Sequence, residues 1–319
     1  MKAGGIPLRW RYFKSLRRGV CRFLLVPHAP FLDALLISYT PLDHPVGGTV
    51  WNFTNDLFPN PGALVNNATF NEEARREYDQ NRTGPFTIAR GNQATFLPLK
   101  TVNPEWQTII NALLSQNAEA YLPSTYDKNL TDGFIAQRNV TAALFQTTDN
   151  AAFEFAFGGG PLSGGAIQRT LSRGTITINT TDPLSIPLVD YRTFSNPIDV
   201  ANAVAMLRYV RKYNSQPALQ SLGPVELAPG LNVTSDADIE KSLRNFLFAP
   251  SFAHPSGTAA MLPEEFGGVV RPDLRVWQTR RLSVVDASVF PLIPASHLCT
   301  TVYAVAEKAA DLIKERTDW

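Results

Sequence analysis

The chain is poor in cysteine and histidine and carries almost no excess charge. Only two cysteines, Cys21 and Cys299, occur in its 319 residues, so a disulfide framework is excluded and stability must come from packing. The formal net charge is +1, which gives no electrostatic reason for nucleic acid to bind. No run of residues approaches the roughly 18 consecutive apolar residues that a membrane span needs. We therefore expect neither a nucleic acid nor a membrane among the partners.

Apolar residues, by contrast, are plentiful enough for a large core. They make up 44% of the chain and charged residues 18%, which is the ordinary composition of a folded globular protein. The length allows one large domain or two ordinary ones. Because the sequence also holds 24 prolines and 20 glycines, we expect many loops, some of them long.

Glycosylation sequons of the form Asn-x-Ser/Thr are frequent. They indicate passage through the secretory pathway with glycans on surface loops, and composition bias is the alternative explanation. We predict a secreted protein. The seven sequon positions are Asn52, Asn67, Asn81, Asn129, Asn139, Asn179 and Asn232.

The first 42 residues do not match a secretory signal. Residues 1–22 are basic and contain no acidic residue, and the apolar run from Phe23 to Val26 ends at Pro27. That run is too short for the hydrophobic core of a signal peptide, whereas a transit peptide would also be basic and poor in acid. We interpret residues 1–42 as an atypical basic leader that is not the natural beginning of the protein.

Helical patterns precede and follow a central β region. The sequence predicts a short helix around Glu72 to Tyr78 and a firmer one from Asn103, a good N-cap followed by Pro104. An apolar stripe at helical spacing supports the second helix. Residues 141–195 are predicted to be β structure, because 175–178 alternates polar and apolar residues. The stripe consists of Trp106, Ile109, Ile110, Leu113 and Leu114.

Two more helices are predicted in the second half of the chain. Asp199 is expected to cap the first, whose buried stripe includes Val204 and Leu207. Its basic cluster should lie on a solvated face; the cluster comprises Arg208, Arg211 and Lys212. The last helix is predicted over residues 301–315, with a strand near Leu282 to Val285 before it. Its expected apolar face is Val302, Ala306, Ala309, Ala310 and Ile313.

A glycine-rich run at residues 158–165 does not form a dinucleotide fingerprint. The G-x-G-x-x-G spacing from Gly158 and Gly160 reaches Ser163, Pro161 interrupts the run, and no acidic residue follows about twenty positions later. We interpret the run as a flexible or substrate-side loop. It also lacks the G-x-S-x-G of a nucleophile elbow, so a hydrolase that combined His254 or His297 with a serine would have no nucleophile motif.

Two of the four histidines lie in tight turns of small residues. His254 is in Ala253-His254-Pro255-Ser256-Gly257-Thr258, and His297 is in Ala295-Ser296-His297-Leu298, directly before the last helix. An isolated histidine is more often structural than catalytic. Two in such turns favour a functional site, but spacing alone leaves both interpretations open.

The stretch from His254 to the C-terminus resembles the most specific region of the glucose–methanol–choline (GMC) oxidoreductases. The resemblance is closest to the fungal aryl-alcohol-oxidase-like branch, and from Asp43-His44-Pro45 onward it covers nearly the whole chain. The matching elements are His254-Pro255-x-Gly257-Thr258, Gly268-Val269-Val270-x-Pro272-Asp273-Leu274-Arg275-Val276, Leu282-x-Val284-Val285-Asp286-Ala287-Ser288, Ser296-His297 and Ala306-Glu307-Lys308-Ala309-Ala310-Asp311-Leu312-Ile313.

The resemblance implies an α+β fold in two parts. Residues 43–250 would form an antiparallel-sheet substrate domain flanked by helices. Residues 251–319 would form the C-terminal return segment of an FAD-binding domain. Family members begin with a strand, a G-x-G-x-x-G turn and a helix that hold the ADP half of FAD, and this sequence contains no such element.

The resemblance also implies a reaction. Family members take the hydroxyl proton of an alcohol and pass a hydride from carbon to the flavin of FAD. His254 matches the base, a role that suits the pKa of histidine, and His297 matches the residue that hydrogen-bonds the forming alkoxide. Asp286 and Ala287 match a backbone segment near FAD. Leu298, Cys299 and Thr300 match a helix start that faces the flavin.

These expectations describe an FAD-dependent oxidoreductase of small-molecule primary alcohols, without a metal. The alternative is a truncated, non-catalytic relative that does not retain FAD. The sequence gives no indication of the oligomeric state. We further expect His254 and His297 to lie within about 10 Å of each other, beside the turn at Asp286-Ala287, because both must reach one substrate.

Overall fold

A computed structural model describes residues 42–60, 62–88, 94–157 and 162–316. Nearly all of the predicted leader, together with residues 158–161 of the glycine-rich run, lies outside these ranges. The described residues form a mixed structure of helices and antiparallel sheet, which confirms the predicted α+β class. None of the helices in these ranges is long and apolar enough to cross a membrane.

Helices and strands alternate irregularly along the described chain. The α-helices are α1 (Ala63–Asn66), α2 (Ala68–Asn81), α3 (Leu99–Val102), α4 (Trp106–Ser115), α5 (Lys128–Phe145), α6 (Pro197–Asn214), α7 (Pro217–Gln220), α8 (Asp236–Ser242) and α9 (Cys299–Lys314). The strands are β1 (Val46–Phe53), β2 (Thr95–Leu97), β3 (Phe153–Ala156), β4 (Leu162–Ile167), β5 (Thr175–Thr177), β6 (Leu188–Asp190), β7 (Pro224–Ala228) and β8 (Phe248–Ala249).

The main sheet has six antiparallel strands in the described residues. Its order is β2-β3-β4-β1-β7, and β8 pairs with the first residues of β1. β5 and β6 form a separate two-stranded sheet. The predicted strand at 175–178 is confirmed over Thr175–Thr177, where Ile176 is buried between two half-buried threonines. The β prediction is wrong for residues 141–145, which are the last turn of α5.

The last two glycines of the glycine-rich run, Gly164 and Gly165, are part of the sheet rather than of a loop. Gly164 and Gly165 lie in β4, opposite Gly48 and Gly47 of β1. A Cβ on Gly165 would come within 1.6 Å of the carbonyl oxygen of Glu154, so only glycine allows the strands to approach this closely. The loop interpretation is wrong for residues 162–165.

Two hydrophobic clusters hold the fold together. The larger lies between one face of the main sheet and the helices α4, α5 and α6, and it includes Phe153, Phe155 and Met206. The smaller lies in the C-terminal part, where Val270, Leu298 and other apolar residues pack with the inner side of α9. Glu154 alternates with Phe153 and Phe155 along β3, so its side chain leaves the opposite face of the sheet.

Several local predictions need correction. α4 begins at Trp106 with Glu105 as N-cap, since the Asn103 side chain accepts from the Glu105 amide instead. Asn196, not Asp199, caps α6. Asp199 lies inside the first turn and is buried, where its carboxylate accepts from the amides of Leu171 and Ser172.

The basic cluster on α6 divides into two environments. Arg208 is exposed, as predicted, and pairs with Asp236. Arg211 is largely buried and forms two hydrogen bonds of 2.8 Å to the buried carboxylate of Glu226. The solvated-face prediction is therefore wrong for Arg211, because β7 places an acid against it.

The predicted strand near Leu282 to Val285 is not formed. Ser283 makes one isolated bridge to Arg275. Leu274 and Gln278 have positive φ angles of 64° and 58°, so the neighbouring chain bends away and no ladder can develop. α9 is present as predicted, but Ala306 of its expected apolar face is exposed while Ala309 is buried.

Candidate active site

Three histidines from distant parts of the sequence meet beside the main sheet. His44 comes directly before β1, His254 from the turn after β8, and His297 from the turn before α9. His254 Nε2 lies 3.3 Å from His297 Nδ1, and His254 Nδ1 lies 3.0 Å from His44 Nδ1. The expected proximity of His254 and His297 is thus observed, and His44 is an additional member of the cluster.

Asp43 holds the turn that carries His254. Its carboxylate accepts from the hydroxyl of Ser251 at 2.6 Å and from the amides of Phe252 and His254. Ala253 between them has a φ of 61°, an unusual conformation for a residue with a Cβ that needs such support. The adjacent pair Asp43-His44 therefore both shapes this turn and contacts its histidine.

Glu154 is a member of the site that sequence reasoning missed. Its side chain is 4% exposed, and its Oε1 lies 2.9 Å from His297 Nε2. The amide of Gln168 donates to its other oxygen at 2.9 Å. The available signal was an acidic residue between two phenylalanines in a buried strand, which is costly unless the carboxylate has a partner.

Burial and like charge keep two of the three rings neutral. Desolvation lowers the pKa of His44 to about 3, and the nearby His254 acts in the same direction. Desolvation also lowers the pKa of His254, with a further contribution from His297. Burial raises the pKa of Asp43, against its hydrogen bonds to Ser251 and to three backbone amides. His254 is therefore available as an uncharged proton acceptor near neutral pH.

The side chains of Arg169 and Gln137 fix the loop before His297. Arg169 donates to the carbonyl of Ile293 at 2.6 Å and to the side chain of Asn150 at 2.9 Å. Gln137 donates to the carbonyl of Pro291 at 2.6 Å. The His297 side chain itself remains 52% exposed, so its position depends on these contacts and on Glu154 and His254.

The residues predicted to face a flavin lie at one edge of the histidine cluster. Leu298 is buried, whereas Cys299 and Thr300 are exposed at the first turn of α9, and no side chain caps this helix. Its first amides therefore have no partner within the helix and carry partial positive charge. Such an end suits the negative charge of a reduced flavin, so the residues present fit this part of FAD.

The turn at 286–289 supports the same edge. Asp286 caps a short 3-10 helix by accepting from the amide and hydroxyl of Ser288. The carbonyl of Ala287 accepts from the amide of Gly257 at 3.2 Å, which ties this turn to the His254-Pro255-x-Gly257 segment. The predicted arrangement of His254 beside Asp286-Ala287 is consistent with this contact.

Phe252 closes one side of the cluster. Its ring centroid lies 5.4 Å from that of His254 and 5.2 Å from that of His297. A small molecule held between the two histidines would therefore have an aromatic wall on one side. The arrangement can accept a proton, donate a hydrogen bond to a developing oxyanion and pack against an aromatic ring.

Comparison with known proteins agrees with this geometry. A C-terminal family model described as GMC oxidoreductase matches residues 170–306. Dehydrogenase xptC of Emericella nidulans is 31% identical over 85% of this chain and 44% of its own length. The structure of an FAD-dependent oxidoreductase from Chaetomium thermophilum superposes with a TM-score of 0.84 and 35% identity, over 88% of this chain and 49% of that one.

A fungal aryl-alcohol oxidase superposes with a TM-score of 0.79 and 36% identity, over 87% of this chain and 48% of that one. The antiparallel sheet with its flanking helices is thus the substrate-binding fold of the C-terminal part of these flavin enzymes. Residues 170–306 thus match the GMC oxidoreductase family, and the chain corresponds to the C-terminal part of its relatives. It spans about half the length of the relatives and structures that it matches.

Proposed function

We propose that this chain supplies the substrate-oxidising site of an FAD-dependent oxidoreductase of primary alcohols. The observation that carries the proposal is the 3.3 Å contact between His254 and His297 at an exposed edge next to the start of α9. The names of the similar proteins, among them an aryl-alcohol oxidase, support this class of substrate. The aromatic wall at Phe252 supports a substrate of the benzylic type.

The two histidines divide the work on the hydroxyl group. His254 accepts the hydroxyl proton, because burial lowers its pKa and keeps it neutral. His297 donates a hydrogen bond to the oxygen as negative charge develops on it, and Glu154 holds the His297 ring in that orientation. FAD, when bound, supplies the acceptor for the hydride that leaves the alcohol carbon.

The FAD-facing residues are proposed from the same edge of the structure. The first amides of α9 at Cys299 and Thr300, with Leu298 before them, would hold the pyrimidine side of the flavin. Asp286 and Ala287 would contribute backbone near it. The ADP half of FAD requires a glycine-rich turn at a helix start, which this sequence lacks, so we propose that retention of FAD depends on a separate flavin domain.

The test compares this chain alone with the same chain fused to the N-terminal flavin domain of a GMC oxidoreductase. We expect the fusion protein to absorb as a flavoprotein and to oxidise a benzylic alcohol, and the chain alone to do neither. In the fusion, His254→Ala should lower kcat by about 10²- to 10⁴-fold, the usual contribution of a positioned base. Arg208→Ala, which removes an exposed ion pair with Asp236 on α6, is the matched control and should leave kcat unchanged.

A non-catalytic, flavin-free relative is the second candidate. The exposure of His297, Cys299 and Thr300 favours it, because these side chains have no cover from the described residues. The same experiment decides between the two. A fusion that binds FAD but does not turn over any primary alcohol would contradict the proposed activity.

We also propose that the protein is secreted and glycosylated. Six of the seven sequon asparagines are exposed and Asn179 is half-buried, so a glycosyltransferase could reach them. Expression in a fungal host behind a secretory signal peptide should give a band that shifts on removal of N-glycans. Expression of a variant with Gln at all seven positions is the control, and an unshifted unaltered protein would contradict glycosylation.

A further inference from the structure

The three histidine rings form one continuous chain of contacts that ends at Glu154. His44 Nδ1 faces His254 Nδ1, His254 Nε2 faces His297 Nδ1, and His297 Nε2 faces Glu154 Oε1. A contact between two ring nitrogens is a hydrogen bond only if one nitrogen carries a proton and the other a lone pair. The proton position in one contact therefore determines the position in the next.

The buried carboxylate of Glu154 fixes one end of this chain. It accepts from Gln168, is 4% exposed and lies 2.9 Å from His297 Nε2, so this nitrogen of His297 is the donor toward it. His254 in the middle of the chain presents Nε2 to His297 and Nδ1 to His44. Which of its two nitrogens carries the proton therefore depends on whether His44 accepts one.

His44 is suited to accept that proton. The residue is completely buried, and its pKa of about 3 keeps the ring neutral across the working range of pH. Its Nε2 has no hydrogen-bond partner of regular geometry in the described residues, although the backbone of Gln168 favours a protonated ring. A proton on Nε2, directed toward this backbone, leaves the Nδ1 lone pair free for His254.

We infer that His44 is a positioning residue that selects the tautomer of His254: it accepts the Nδ1 proton and so keeps the Nε2 lone pair of His254 on the substrate side. The inference rests on the proposed function, in which that lone pair takes the hydroxyl proton of the alcohol. When the O–H bond breaks and the Nε2–H bond forms, His254 becomes cationic, and the His44 acceptor stabilises the new charge. The geometry thus assigns His44 an effect on the base without any contact to the substrate.

The test is nitrogen-15 NMR of the full chain with ring-labelled histidine, because protonated and bare ring nitrogens give separate resonances. The sequence contains only four histidines, so replacing each in turn assigns the signals. In the unaltered chain we expect His254 protonated on Nδ1 and bare on Nε2. In His44→Phe, which lacks an acceptor, we expect the proton of His254 to move to Nε2. In His44→Asn, whose side-chain oxygen can accept at the same place, the Nδ1 tautomer should remain.

Two results would overturn the inference: a His254 proton on Nε2 in the unaltered chain, or an unchanged tautomer in His44→Phe. If the Phe variant does not fold, the unaltered chain and the Asn variant decide. Turnover by the fusion protein is a separate measurement. The expected tautomer without alcohol oxidation would refute the proposed function alone, whereas turnover with the opposite tautomer would refute this inference alone. In the fusion, His44→Phe should lower kcat by about 10- to 100-fold and His44→Asn should recover most of it.

Discussion

The sheet region, residues 43–250, and the C-terminal region, residues 251–316, build the histidine cluster by different means. The sheet region places His44 and Glu154 through strand ladders and a large core. The C-terminal region places His254 and His297 in turns, and its regular structure consists of one long helix, two short 3-10 helices and isolated bridges. The sheet therefore positions the buried acceptors His44 and Glu154. The irregular turns position His254 and His297, which would contact a substrate.

The difference also concerns what holds each region in place. The sheet region is stabilised by its own core. The turns of the C-terminal region are held by hydrogen bonds to side chains of the sheet region. Asp43 binds the His254 turn, and Arg169 and Gln137 bind the His297 loop. We therefore expect substitutions in the core of the sheet region to destabilise the whole protein. Substitutions of Asp43, Arg169 or Gln137 should increase the mobility of the histidine turns alone.

The largest effect should come from the buried ion pair of the sheet region. Arg211→Met removes the partner of the Glu226 carboxylate, whose side chain is 0% exposed, and breaking such a pair costs about 3–5 kcal/mol. Urea denaturation should report this loss as a lower midpoint for the whole chain. Arg208→Ala, three residues earlier on the same helix, removes an exposed pair and should cost less than about 1 kcal/mol. Equal effects of the two changes would contradict the burial argument.

A smaller and more local effect is expected at the His254 turn. Asp43→Asn leaves one acceptor oxygen for the donors of Ser251, Phe252 and His254, and the loss of charged hydrogen bonds should cost about 1.5–3 kcal/mol. Hydrogen exchange should accelerate at residues 251–254 and stay slow in β3 and β4. Asp199→Asn is the matched control, since it weakens the 171–172 segment instead. Acceleration throughout the main sheet would argue against a local tether.

The His297 loop should respond more weakly still. Arg169→Lys retains the charge but cannot bridge Ile293 and Asn150 together, because an ammonium group lacks the planar fork of a guanidinium. We expect a loss of about 1–2 kcal/mol and faster exchange of the amides at residues 293–297. Unchanged exchange there would show that Gln137 alone fixes the loop.

The last expected effect is a dependence on pH, which is the smallest of the four near neutral pH and grows as the pH falls. His44 has a folded-state pKa of about 3, below the value of 6.5 in an unfolded chain, so its contribution to stability is complete above pH 6.5 and declines as the pH falls toward 3. Between these limits the unaltered chain should lose about 1 kcal/mol per pH unit more than His44→Asn. The raised pKa values of Asp43 and Asp199 act in the opposite direction, but both proteins contain them. Denaturation at pH 4 to 7 gives the difference, and parallel curves would contradict the burial of a neutral His44.

Local pattern predicted much of the fold and the histidine pair. The alternation at Thr175–Thr177 and the apolar spacing of α4 and α9 reflect short-range rules, so these elements were found. The predictions for Asp199 and Arg211 were wrong because a charged residue is expected at the surface. Each of these side chains is instead buried and hydrogen-bonded to a residue elsewhere in the sequence. Glu154 was missed for the same reason, since its meaning depends on His297, which follows 143 residues later.

The close pairing of β1 and β4 at Gly47, Gly48, Gly164 and Gly165 limits how the sequence of this protein can evolve. A methyl group at any of these positions would overlap a neighbouring backbone, so substitutions there should be almost absent. His44 lies three residues before Gly47, so this pairing also restricts how far its ring can move from His254. Mutational libraries that vary the surface of β1 freely should accordingly return these glycines unchanged, even under selection for a new substrate.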